Sequence, residues 1–178
     1  TSAEFFREVG PVGRTVQGTA RYTLKALPGY GGTVKLDFVD GNIVSITDGT
    51  EPVAWSHRDD VLRIQVPHPE ALEIVWEVTN PRAGLYFTGP TAESPKRQHM
   101  AWTQCQDEDG HFFFPCHDHP NDKHAWSIRL EAPEGYTLLS NGQPGDAGTD
   151  DGWAYALFEQ PEPMPAYLFT AVAAKLSV

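Results

Sequence analysis

The chain has 178 residues, 40% of them hydrophobic and 21% charged, so it can bury a core and does not have a disordered composition. Acidic residues outnumber basic ones by 24 to 13, and the net charge of −11 argues against nucleic acid or an anionic membrane surface as a partner. No apolar run approaches the roughly 20 residues that a membrane-spanning helix requires.

Alternating apolar and polar residues predict β-strands along most of the chain. The segment from Val34 to Phe38 has the period-two pattern of a half-buried strand, and further strands are predicted at 61–66, 72–78 and 126–130. Turn-forming pairs separate these runs, among them Pro28-Gly29, Asp40-Gly41, Asp48-Gly49, Asn80-Pro81, Asn141-Gly142 and Asp151-Gly152. Short strands at this spacing predict an antiparallel all-β domain.

Two stretches rich in turn-forming residues are predicted to be exposed. Residues 88–98 should form a surface loop, and residues 143–152 should form a long hairpin loop. Neither resembles a domain boundary and no repeat is present, so we expect a single domain over residues 1–178. Because the first residue is Thr1 rather than methionine, we expect a fragment or a processed end.

The sequence Thr103-Gln104-Cys105-Gln106 places two amides close together. Residues two apart in a strand share a face, so Gln104 and Gln106 would stand about 6.6 Å apart while Cys105 points into the core. Each amide offers a donor and an acceptor, so the pair could hold an ammonium group and a neighbouring carbonyl. From the spacing alone, ordinary solvent-facing strand residues are the more common explanation.

The stretch from residue 105 to residue 124 supplies every ligand type that zinc accepts: Cys105, His111, Cys116, His117, Asp118, His119 and His124. It contains no Cys-x-x-Cys or His-x-x-x-His pair, and no oxyanion-hole signature accompanies Cys116. We therefore predict no metal site and no nucleophilic cysteine. Residues 112–115 should enter the core, and Asp118 and Lys123 should brace the loop.

Two cysteines are too few for a disulfide framework, which predicts a reducing, cytoplasmic compartment.

Several motifs together resemble one protein family. Phe114, Pro115, Cys116, Asp118, Pro120 and Lys123 match a Phe-Pro-Cys-x-Asp-x-Pro-x-x-Lys pattern. The flanking motifs are Gly84-Leu85-Tyr86, the glutamine motif, Leu139-Ser140-Asn141-Gly142 and Met164-Pro165-Ala166-Tyr167-Leu168. This series resembles the amino-terminal, β-saddle domain of zinc aminopeptidases of the aminopeptidase N and leukotriene A hydrolase family. The match is strong over residues 84–174 and rests on strand pattern over residues 15–79.

The resemblance implies a saddle-like, mainly antiparallel β domain with almost no helix, which is the non-catalytic part of a larger zinc metallopeptidase that removes N-terminal residues from peptides. It implies that Gln104 and Gln106 line the substrate cleft and contact the substrate's N-terminal residue. Zinc is implied for the parent enzyme but not for this chain, because none of the seven histidines is followed by glutamate as the family's His-Glu-x-x-His motif requires. The implied partners are the catalytic domain of the same parent chain and the N-terminus of a peptide.

The expected core includes six aromatic residues: Trp55, Trp76, Trp102, Trp126, Tyr167 and Phe169. One strand-rich face should be unusually apolar where the catalytic domain packs. Two other functions stay open at this point. One is a stand-alone carbohydrate- or protein-binding β module, and the other is a non-catalytic scaffold relative such as a transcription-factor subunit that shares this domain.

Overall fold

The structure is a computed structural model, and it describes residues 2–4, 13–26, 28–66 and 70–176. The strands of this part of the chain are β1 (Ser2–Glu4), β2 (Thr15–Thr23), β3 (Thr33–Asp37), β4 (Gly41–Thr47), β5 (Trp55–Arg58), β6 (Val61–Gln65), β7 (Ala71–Thr79), β8 (Gly84–Thr88), β9 (Met100–Gln104), β10 (Lys123–Pro133), β11 (Thr137–Ser140), β12 (Gln143–Asp150), β13 (Trp153–Pro165) and β14 (Ala171–Ala174). Its helical elements are two short 3₁₀ turns, Gly110–Phe112 and Ala166–Leu168. The predicted all-β fold is confirmed.

The strands form four antiparallel sheets. Their orders are β1-β2-β7-β4, β3-β6-β5, β11-β14-β9-β8 and β10-β13-β12. Residues from all four sheets share one hydrophobic core. The indole N–H groups of two buried tryptophans have hydrogen-bond acceptors inside this core. Trp76 Nε1 donates to Phe113 O at 2.7 Å, and Trp126 Nε1 donates to Met164 O at 3.2 Å. No helix among the described residues is long and apolar enough to cross a membrane.

The expected aromatic core is correct in part. Trp76, Trp126 and Phe169 are buried, each with at most 2% of its surface exposed. Trp55 is 42% exposed, so its assignment to the core is wrong. It opens the four-residue strand β5 at the edge of its sheet, where few neighbours are available to cover an indole. Trp102 and Tyr167 are only half-buried.

The segment predicted as a long hairpin loop is mostly a strand. Residues 143–150 form β12, which pairs with β13, and Asp151 and Gly152 alone make the turn between them. The prediction failed because β12 is an edge strand with every residue exposed, so it shows no apolar alternation. The loop predicted after β8 is confirmed, and it is exposed from Pro90 to Gln98.

Candidate functional site

The two glutamines lie at one end of β9. Gln104 is the last residue of this strand and pairs with Gly84 of β8, whereas Gln106 lies beyond the strand. Both glutamines are exposed, and Cys105 between them is 1% exposed. The Gln106 backbone N donates to Gln104 Oε1 at 3.1 Å. The predicted arrangement of two exposed amides around a buried thiol is therefore present, but the second amide is positioned by a turn rather than by the strand.

The turn after Gln106 is held against β8 by a close backbone approach. The Asp109 backbone N donates to Cys105 O at 2.8 Å. Gly84 has φ +76, and a Cβ built on it would lie 2.0 Å from Asp109 O. A side chain at this position would combine an unfavourable backbone conformation with a clash, which explains why the motif begins with glycine.

The Phe-Pro-Cys segment is a structural feature of the core. Phe114 and Cys116 are at most 2% exposed. Asp37 N donates to Cys116 O at 2.7 Å, and Cys116 N donates to Asp37 O at 3.1 Å, so the segment extends the edge of β3. The Tyr22 hydroxyl donates to Pro115 O. These contacts give the motif a role in packing and backbone hydrogen bonding.

Asp118 is the buried charged residue of this loop, with 3% of its side chain exposed. Its Oδ2 accepts hydrogen bonds from His111 N at 3.0 Å and from His111 Nδ1 at 2.9 Å. The hydrogen bond that His111 donates to Asp118 raises the pKa of His111 above its ordinary value. The predicted brace between Asp118 and Lys123 is wrong, because the carboxylate faces His111 and Lys123 is an exposed residue that opens β10.

The Leu-Ser-Asn-Gly and Met-Pro-Ala-Tyr-Leu motifs contact each other beside β9. Asn141 Nδ2 donates to Leu168 O at 3.1 Å, and Asn141 Oδ1 accepts from Thr170 N at 2.6 Å. On the other side of this irregular segment, Thr103 Oγ1 donates to Phe169 O at 3.2 Å. Side-chain hydrogen bonds thus replace strand pairing just before β14. They fix residues 168–170 next to the strand that carries Gln104.

A row of apolar side chains crosses the sheet that contains β9. Tyr86 of β8 pairs with Trp102 of β9, Trp102 pairs with Val172 of β14, and Val172 pairs with Leu139 of β11. The Tyr86 and Trp102 rings stack with their centroids 5.8 Å apart, and Leu139 is 47% exposed. Gln104 is two residues from Trp102 and shares its face. We call these four residues the apolar row.

Sequence reasoning anticipated an apolar face but did not identify its members. The signal was available, since Tyr86 and Leu139 lie within recognised motifs. Which strands are neighbours was not evident, because β9 pairs with β14 across about 70 residues of sequence. Leu168, 47% exposed, and half-buried Tyr167 lie on the segment beside this sheet.

The described histidines and cysteines lie in separate surroundings. Among the described residues, no group of three or more His, Cys, Asp or Glu side chains could hold a metal ion. His117 Nδ1 lies 3.4 Å from Asp122 Oδ2, and the His124 ring packs on Trp126 with centroids 4.5 Å apart. Burial lowers the pKa of His124 and raises the pKa of the Cys116 thiol. A neutral buried thiol of this kind is a poor nucleophile.

Comparison with known families agrees with the motif series. The family described as Peptidase M1 N-terminal domain matches residues 37–168. The chain belongs to this family. The resemblance inferred from the motifs is therefore confirmed, and the match includes the glutamine motif, the Phe-Pro-Cys segment and Tyr167-Leu168.

Two curated relatives place this M1 N-terminal domain within longer proteins. A leukotriene A-4 hydrolase homolog of Botryotinia fuckeliana is 26% identical over 159 residues, covering 79% of this chain and 24% of the relative. An aminopeptidase N of Caulobacter vibrioides is 33% identical over 148 residues, covering 76% of this chain and 16% of the relative. The chain thus matches about a quarter or less of the length of either protein.

Solved structures show the same fold. A yeast LTA4 hydrolase has a TM-score of 0.79 at 20% sequence identity, covering 99% of this chain and 28% of that chain. An M1 zinc metallopeptidase from Deinococcus radiodurans has a TM-score of 0.76 at 18% identity, covering 97% of this chain and 40% of that chain. At these identities the likeness establishes the architecture of the M1 N-terminal domain.

Proposed function

We propose that the 178 residues form one non-catalytic domain of a zinc-dependent aminopeptidase, which removes N-terminal residues from peptides. Membership of the M1 N-terminal domain family supports this proposal. The side chains described in this chain do not fit a zinc ion, since none of their clusters could hold a metal. Zinc and the groups that activate water are therefore assigned to a catalytic domain of the same parent chain.

The observation that carries the proposal is that Gln104 and Gln106 lie beside the apolar row, at the end of strand β9. Leu139 is 47% exposed, which is costly for a large apolar side chain that has no partner. Packing of the catalytic domain against this row would remove it from water. The two exposed amides would then lie at the border of that interface, where a cleft between the domains would open.

The amides suit recognition of a free peptide N-terminus. A glutamine oxygen accepts from an ammonium group, and a glutamine nitrogen donates to the first carbonyl. Gln104 Oε1 already accepts from Gln106 N at 3.1 Å, which restricts the Gln104 side chain and leaves its amide nitrogen available to donate. The Gln106 side chain is exposed. We therefore assign the ammonium group chiefly to Gln106 and the carbonyl chiefly to Gln104. Holding both ends of the first residue fixes the scissile bond for attack.

Kinetics of the full-length enzyme test this function. Gln104→Ala and Gln106→Ala should each lower kcat/KM roughly 10- to 150-fold, because a hydrogen bond to a charged group contributes about 1.5–3 kcal/mol. Zinc content should not change. Gln106→Glu should retain activity, because a carboxylate also accepts from an ammonium group.

Gln98→Ala is the matched control, since Gln98 lies in the exposed loop after β8. It should leave kcat/KM unchanged. Folded Gln104→Ala and Gln106→Ala variants with full kcat/KM would show that the domain gives structural support only. A full-length protein without zinc or peptidase activity would reject the enzyme assignment altogether.

A further inference from the structure

A groove of about 390 Å³ lies between the sheet β10-β13-β12 and Gln17 of β2, on strands that do not carry the glutamine pair. Two aromatic rings and several charged groups line it. Among them are Arg129, Glu131, Asp150, Asp151, Trp153 and Tyr155. Its volume is within the range of small-ligand sites.

Part of the groove already holds a guanidinium group. The Arg129 guanidinium carbon lies 4.2 Å from the centroid of the Tyr155 ring, and Arg129 Nε donates to Glu131 Oε1 at 2.6 Å. Glu131 and Tyr155 are partners in the β10–β13 register. An aromatic face and a carboxylate from paired strands thus bind one planar cation.

A second aromatic ring and further carboxylates lie beside Arg129 and Tyr155, but no cationic side chain of the described residues is bound between them. Asp150 of β12 pairs with Trp153 of β13, and Asp151 follows in the turn. Asp150 and Asp151 are exposed, and Trp153 is half-buried. No arginine or lysine from the described ranges forms an ion pair with either aspartate or stacks on Trp153. An indole face and two free carboxylates therefore line the remainder of the groove.

The net negative charge of the groove favours a cationic ligand. Three carboxylates face one guanidinium, so the groove attracts a cation and repels an anion. A guanidinium group fits better than an ammonium group, because its flat fork can stack on Trp153 while it donates to two carboxylate oxygens. We propose that this groove binds an arginine side chain of a polypeptide partner, at a site separate from the one proposed for the substrate N-terminus.

The probe for this site is the blocked peptide acetyl-Gly-Arg-Gly-amide. Its binding is measured by titrating it into the folded chain and recording chemical shifts by NMR. Blocking the N-terminus removes the ammonium group that Gln104 and Gln106 are proposed to bind. We expect a Kd on the order of 1 mM and shifts centred on the Trp153 indole signal. The same peptide with citrulline, which is nearly isosteric and uncharged, should bind at least about 5-fold more weakly, since the ion pairs are lost.

Two variants separate the groove from general attraction to an acidic protein. Asp150→Asn removes one charge from an exposed site and should weaken binding about 2- to 5-fold. Trp153→Ala keeps the charge and should weaken binding by a similar factor through loss of stacking. Glu93→Gln, in the exposed loop after β8, removes the same charge as Asp150→Asn and should have no effect.

The proposal is overturned if the citrulline peptide binds as well as the arginine peptide, or if Glu93→Gln weakens binding as much as Asp150→Asn. A lysine peptide of equal affinity would contradict the preference for a planar cation. Should Trp153→Ala fail to fold, the peptide comparison and Asp150→Asn still decide the matter. Activity of the full-length enzyme plays no part in this test.

Discussion

Asp118 Oδ2 accepts two hydrogen bonds from a single residue, His111, one from the backbone N at 3.0 Å and one from ring Nδ1 at 2.9 Å. The backbone N of Asp118 in turn donates to Asp37 Oδ2 at 3.1 Å. Asp118 thus ties the 3₁₀ turn after the glutamine motif to the end of β3, through its carboxylate on one side and its backbone N on the other. The pair of a half-buried His111 and a buried Asp118 connects the loop after Gln106 to the core.

Removing this carboxylate should destabilise the domain. Asp118→Ala leaves two His111 donors without their acceptor, and hydrogen bonds to a buried charge contribute about 1.5–3 kcal/mol to the free energy of unfolding. Urea denaturation of wild type and variant measures the loss. Asp122→Ala is the control, because Asp122 is 44% exposed and pairs with a 56% exposed His117. It should change the free energy by less than about 0.5 kcal/mol.

His111 should make stability depend on pH. Its hydrogen bond with Asp118 raises its pKa in the folded state, so its stabilising effect is complete below the unfolded pKa of about 6.5 and is lost as pH rises through the folded pKa. In urea titrations at several pH values, His111→Gln should abolish this decline above about pH 6.5. An unchanged decline in His111→Gln would assign it to another group.

His124 should act in the opposite direction. Burial lowers its pKa in the folded state, so only the unfolded chain takes up a proton as pH falls below about 6.5. Stability should therefore decrease on acidification, and His124→Gln should reduce that decrease. NMR titration of the two rings provides a direct check, with His111 protonating at higher pH than His124.

Local patterns predicted the strands better than the contacts between them. The alternation from Val34 to Phe38 identified β3 because Leu36 is buried and Val34 half-buried, whereas Lys35 between them is exposed. β12 was missed because an exposed edge strand rich in glycine and aspartate lacks that pattern. Trp55 was misplaced for a related reason, since side-chain size does not reveal that its strand lies at a sheet edge.

The candidate site was predictable only in its residue types. The motif indicated two exposed amides around a buried Cys105, and their exposure and burial are as expected. The apolar row depends on pairing between β8, β9, β14 and β11, which no local pattern encodes. The partnership of Asp118 with His111 rather than Lys123 likewise depends on how the loop folds over β3.

The two thiols should be unreactive in the folded chain. Cys105 and Cys116 are free and at most 2% exposed, and burial raises the pKa of both. A thiol reagent should label them slowly in buffer and quickly in denaturant. Rapid labelling of the native protein, or a disulfide detected by intact mass, would contradict this. The cytoplasmic location inferred from the cysteine content stays a prediction.

Gly84 should be among the least replaceable glycines, because a Cβ there would lie 2.0 Å from Asp109 O and 2.8 Å from Phe113 Cδ1. Gly152 is a matched control, since its φ of +80 is close to the +76 of Gly84 but its Cβ position has no neighbour within 4 Å. Gly152→Ala should cost about 1–2 kcal/mol for the backbone conformation alone. Gly84→Ala should exceed that by roughly 1–3 kcal/mol because of the clash.

The clash in Gly84→Ala should also change the positions of Gln104 and Gln106. Asp109 N donates to Cys105 O, so displacement of Asp109 moves the turn that positions Gln106. In variants that stay folded, we expect Gly84→Ala to shift the side-chain amide NMR signals of Gln104 and Gln106. Gly152→Ala should leave these signals unchanged. Equal losses of stability in the two variants, with unchanged glutamine signals in both, would show that the close approach of β8 to the turn does not position this site.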